Sequence, residues 1–247
     1  MQRALKLWAA RGVRQFKSGS RREVGVKRFL RIGFWVCTAI AVLVVVRRLV
    51  ALGSGAAGSS APPELVRLDA AFAGHAGLTL AHIVPALLFV LITPVVVFGR
   101  GQLAGVLEKV MYPLGAVVGL TAYAMNRFAV GGWVERAAVL VFNTWFLWCL
   151  GRAWRLAGSG EQDLKRRWLL RGVATLLGIA TTRPVMGVFF ATSRLTHWQP
   201  SQFFGFAFWI GFSINVALIE LWLRSADRRS MHKPATIARA ADAVRQS

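Results

Sequence analysis

Residues 78–98 read LTLAHIVPALLFVLITPVVVF, and His82 is the one ionisable side chain in the stretch. A helix of about 20 apolar residues spans the roughly 30 Å hydrocarbon core of a bilayer, whereas a buried helix of a soluble domain is usually shorter. This segment therefore predicts a transmembrane helix. Working outward, comparable runs follow at 110–130, 137–157, 169–191 and 203–223, and a weaker one precedes at 32–51. The breaks GRGQ, GGWVER, GSGEQDLKRR and HWQPSQ combine Gly, Pro or charge, as short connections between spans do. The weak run is uninterrupted only from Ile32 to Val46; Arg47 and Arg48 are expected to snorkel outward along their stems. The expected fold class is all-α, a polytopic transmembrane helix bundle of six spans.

Composition agrees. The chain of 247 residues is 55% hydrophobic yet carries 31 Lys+Arg against 10 Asp+Glu, a combination foreign to a soluble domain. Membrane spans reconcile the two, with charge confined to loops and tails. The expected organisation is a basic cytoplasmic segment 1–31, a transmembrane domain 32–223 and a short cytoplasmic tail 224–247, with no room for a second soluble domain. The first apolar run starts after 31 polar-rich residues and lacks a small-residue cleavage pattern, so it reads as a retained span.

Orientation follows from the cations. Residues 1–31, 99–109, 152–171 and the tail from Arg224 hold 24 Lys and Arg; the opposite side holds six, and Arg183 lies within a span. Positive residues stay inside, so both termini are expected in the cytoplasm, with the spans in an inner (plasma) membrane. Trp133 and Trp198 then mark the outer boundary and Trp154, Trp168 and Trp222 the inner one. In residues 1–31, Leu5, Trp8, Val13 and Phe16 alternate at near-helical spacing with Arg3, Lys6, Arg14 and Lys17. That pattern predicts an amphipathic helix on anionic lipid headgroups rather than a nucleic-acid arm. GSGAAGSSAPPE (53–64) reads as a flexible outer loop.

Ionisable residues inside spans point to function because their burial is costly. Arg183, in IATTRPVMG, stands about 12 Å from the outer end of the fifth run. Pro184 deprives the Ala180 carbonyl of its helix donor and predicts a kink, with Thr181 and Thr182 nearby to satisfy freed groups. His82, three residues before Pro85, falls at a similar depth, as do Asn126 and Asn143. Four polar residues on four helices in one layer suggest an outward-facing ligand site; the competing reading makes each a structural contact between helices. Glu220 stands four residues before Arg224, a favourable spacing for a local ion pair, and Asn215 suits an interhelical bond. Gly115 and Gly119 form a GxxxG pattern that permits close helix contact.

No P-loop, dinucleotide fingerprint, HExxH or paired-Cys motif occurs, so the reading leans away from an enzyme. Cys37 and Cys149 sit in apolar runs and behave as small hydrophobes, so no metal site is expected. With only His82 well inside a span, a bis-histidine haem is not expected, and no cofactor is assigned. The expected function is binding or translocation of a small molecule, anionic or amphiphilic. The alternatives are a structural or assembly membrane protein, and a redox protein holding a quinone or haem at His82. Oligomerisation stays open.

From residue 78 to the end of the sixth run, the order of certain residues resembles the bacterial membrane-protein family called domain of unknown function 2306. The matching features are His82-Ile83, the basic run with Trp168 and Arg171 followed twelve residues later by Arg183, and the Trp209, Asn215, Glu220 spacing. Two features depart: Gly105 and Val106 replace a His-Arg pair before Tyr112, and Lys165 replaces a histidine. The resemblance implies a multi-helix membrane fold and no established activity.

Overall fold

The computed structural model describes residue 28 and residues 31–53 and 73–245. The lipid-binding segment expected at 1–31 and the loop at 53–64 fall almost wholly outside the described residues. The described chain is helical, without strands: α1 (Arg31–Gly53), α2 (Ala76–Phe98), α3 (Gln102–Met125) with a 3-10 turn at Asn126–Phe128, α4 (Gly132–Leu156), α5 (Gln162–Thr196) and α6 (Pro200–Arg245). Successive helices run antiparallel. Phe34 of α1 meets Phe98 at the far end of α2, and His75 before α2 meets Phe128 after α3. The two ends of the bundle are called here the His75 end and the Trp168 end.

Five helices, Arg31–Gly53, Ala76–Phe98, Gln102–Phe128, Gln162–Ser193 and Ser201–Arg228, are long and apolar enough to cross a membrane. The chain is therefore read as a multi-pass membrane protein. The helix outside this set is α4, whose 25 residues include Asn143, Arg152, Arg155 and four tryptophans. It packs against α3, α5 and α6, burying Ala138, Phe142, Phe146, Cys149, Leu150 and Ala153 along one stripe. Leu140, Val141, Trp148 and Trp154 of α4 are exposed, so the rest of its surface is not covered by other helices.

Most helices outrun the apolar runs that announce them, because backbone hydrogen bonding does not stop where apolar side chains do. Of the expected break GGWVER only the first glycine lies outside α4, so Glu135 is helical. In GSGEQDLKRR the connection ends at Glu161 and the basic residues open α5. The last span continues as one helix to Arg245 rather than ending near 223. Helix α5 passes unbroken through Pro184, ending at Thr196, about 20 Å of helix beyond Arg183 rather than the 12 Å expected. Near Pro184, the Thr182 hydroxyl donates to the Ile179 carbonyl (2.7 Å) and that of Thr181 to Asn215 Oδ1 on α6 (3.1 Å).

Two close approaches set the geometry. A Cβ on Gly211 would lie 2.7 Å from the Thr182 backbone nitrogen, so α5 and α6 touch there backbone to backbone, one residue from Arg183. In the GxxxG pattern, a Cβ on Gly115 or Gly119 would come within 2.4 Å of Leu150 or Leu147 on α4. At the Trp168 end, the basic start of α5 ties three helices together. Lys165 pairs with Glu108 of α3 (2.9 Å), Arg166 donates to the Val97 carbonyl of α2 (2.8 Å), and Arg167 pairs with Asp227 of α6. Arg171 grips Glu220 with two bonds (2.5 and 3.1 Å) and lies over the Trp168 ring. This corrects the expected Glu220–Arg224 pair. Glu220 faces α5, where the planar guanidinium fork fits both carboxylate oxygens, and Arg224 is exposed. Cations at a helix N-terminus oppose its dipole, which the carboxylates of α3 and α6 offset.

Candidate functional site

A cavity of about 300 Å³ opens inside the bundle, lined by residues from all six helices. Arg183, His82, Asn143 and Asn126 all line it, so the four positions singled out in the sequence share one space. Asn126 reaches it from the 3-10 turn after α3.

Each polar side chain has a distinct local arrangement. Thr121 Oγ1 bonds the Val117 and Val118 carbonyls (2.7 and 3.1 Å), which commits its hydrogen. His82 Nδ1, 3.0 Å from that same oxygen, must then donate. Asn143 Nδ2 donates to the Gly119 carbonyl (2.9 Å), joining α4 to α3. Asn126 Nδ2 donates to the Arg136 carbonyl (3.2 Å), while its Oδ1 is buried without a partner among the described residues.

Arg183 differs from the other three. Its Nε is buried without an acceptor, and among the described residues the guanidinium makes no hydrogen bond or ion pair. Glu135, on the same cavity wall, attracts it electrostatically, and Arg47 and Arg48 repel it. Glu135 does not pair with it. One carboxylate oxygen accepts the Gly131 amide at 2.6 Å, reaching back to the residue before α4.

Glu135, Arg48 and His75 line the cavity but were not among the sequence candidates. Arg48 lies on the cavity wall. It continues the stripe Ala41, Val44, Val45, all lining residues, at the i, i+3, i+4, i+7 spacing of one helix face. That stripe was the available signal. Arg47, one residue away, is exposed as expected. Glu135 carried a weaker signal, as the sole acid between Glu108 and Glu161. His75 stacks on Phe128, ring centroids 3.7 Å apart, where the cavity nears the His75 end. Outside the cavity, Asn215 accepts from Thr181, and Glu220 belongs to the ion-pair cluster of the Trp168 end.

No three His, Cys, Asp or Glu side chains come together as metal ligands would among the described residues. His75 precedes α2 and His82 lies within it, and both line the cavity. Cys37 and Cys149 are free thiols, Cys37 lying 3.7 Å from the Thr181 hydroxyl. Comparison of the chain with family models, curated proteins and solved structures returned no match.

Proposed function

We propose that this protein is a six-span inner-membrane protein, both ends cytoplasmic, that binds or translocates a small anionic molecule in its central cavity at Arg183. The sixth span is α4. It is 25 residues long, about 37 Å, and is joined by short connections to α3 and α5, which cross. Helices linked so tightly at both ends traverse the same thickness. The cation asymmetry then puts the Trp168 end in the cytoplasm and opens the cavity toward the outside.

The observation that carries the binding reading is the guanidinium of Arg183 on a cavity wall, with no bond among the described residues and its Nε buried. A cation inside a bundle without acceptors is costly, and its five donors suit a carboxylate or phosphate. A purely structural arginine would instead clamp neighbouring helices through its donors. His82 and Asn143 do bond across helices, so the structural reading fits them better than it fits Arg183. The resemblance to domain of unknown function 2306 supplies no activity, and the reading stands on the cavity alone.

The test is binding of benzoate and inorganic phosphate to the purified protein in nanodiscs of uncharged lipid, wild type against Arg183→Gln. Saturable binding of either anion, lost in the variant, is expected. Absence of binding to wild type, or equal binding to both, would overturn the reading.

A further inference from the structure

The charged residues on the cavity wall all lie toward the His75 end. On α5 the charge is at Arg183, and the lining residues toward the Trp168 end are Ala180, Ile179, Leu176 and Thr175. On α4 Glu135 lies nearest the His75 end, and Asn143 and Phe146 lie deeper, Phe146 by eleven residues or about 16 Å along the helix. His75 precedes α2, and His82 lies nearer that end than Ala86 and Val90; on α1 Arg48 lies nearer the His75 end than Ala41. Charge is thus confined to the half near the His75 end, and the half toward the middle of the bundle is uncharged and, apart from Asn143 and Thr175, apolar. A small polar anion would leave the apolar half unfilled.

The geometry points to an amphiphile as the occupant: one anionic head at Arg183 and a single short apolar tail lying toward Ala86, Phe146 and Leu176. This rests on the anion-binding reading and adds the tail and its orientation. The distance spanned, about 10 Å from Arg183 to Leu176 and about 16 Å along α4, suits an extended chain rather than a compact ring system. The volume of about 300 Å³ is roughly twice that of an engineered cavity that takes one benzene, and at the small end of ligand cavities. A two-chain phospholipid does not fit such a space; a medium-chain monocarboxylate or monoalkyl phosphate does. Both offer the paired oxygens that the guanidinium fork accepts.

The experiment is a chain-length series, butanoate to hexadecanoate, bound to the full-length protein in phosphatidylcholine nanodiscs, with empty discs subtracted. Each added methylene should tighten binding about fourfold until the apolar half is full, after which the gain should stop in the middle of the series. Ala86 lies between His82 and Val90 on the cavity face of α2, so Ala86→Phe should move that stop to shorter chains. Retained binding of the shortest chains reports that the variant is folded, and Leu176→Phe serves the same purpose if it is not. Butanoate binding with no gain from longer tails would overturn the amphiphile and leave the anion site standing. Failure of every anion, butanoate included, would remove both. A gain that runs to hexadecanoate without a stop, or that survives in Arg183→Gln, would mean tails partitioning into lipid and would overturn the inference. Adding phosphatidic acid to the discs distinguishes a membrane headgroup from a free amphiphile: competition with octanoate would overturn the single short tail, and its absence supports it.

Discussion

Replacing Arg183 by methionine should make the ligand-free protein more stable. Methionine keeps an unbranched stem of similar reach but removes five donors, none of which bonds another described residue. A buried donor left without a partner costs about 1–3 kcal/mol, and water in a cavity of about 300 Å³ satisfies part of the group, favouring the lower end. In a chain of this size, each kcal/mol moves the melting temperature by about 2–4 °C. The ligand-free Arg183→Met protein should therefore melt a few degrees above wild type. Bound anion reverses the order, since ligand at a hundred times its dissociation constant stabilises only wild type, by about 2.7 kcal/mol. Thermal unfolding in nanodiscs, followed by tryptophan fluorescence with and without octanoate, reads both effects. A methionine variant that melts below ligand-free wild type would refute the reasoning, because it would mean that Arg183 holds helices together.

A reporter active only outside the cell, fused after residue 247, should give no signal. A signal, with the N-terminus inside, would mean that α4 does not cross. Deleting residues 1–20 should leave the bundle inserted and weaken attachment of the segment to anionic vesicles, since five cations go, each worth about 1 kcal/mol. In a double-mutant cycle, Arg171→Gln and Glu220→Gln should couple by about 1–3 kcal/mol, while Arg224→Gln and Glu220→Gln should add independently. Gly211→Ala should lower the melting temperature by several degrees, the cost of overpacking being about 1–3 kcal/mol against a Thr182 backbone that cannot yield.

The spans were legible because apolar length is a local property: the run 78–98 became α2, Ala76–Phe98, almost residue for residue. Counting from span ends singled out His82, Asn126, Asn143 and Arg183, and all four line one cavity; their depths were not legible, since Asn126 lies in the turn after α3 while Arg183 lies 13 residues before the end of α5. What counting did not resolve was rotation about each helix axis and register between helices. Glu220 has a plausible partner one turn away on its own helix, and only the packing of α5 on α6 shows that Arg171 holds it. Glu135 follows two glycines and precedes an arginine, which looks like a connection until Gly132 is seen to start α4.

The three ion pairs described here all lie at the Trp168 end, and the hollow lies toward the other. The bundle is thus fastened by charge at the Trp168 end. Spreading it there would part Lys165 from Glu108, Arg171 from Glu220 and Arg167 from Asp227 together, across three helices.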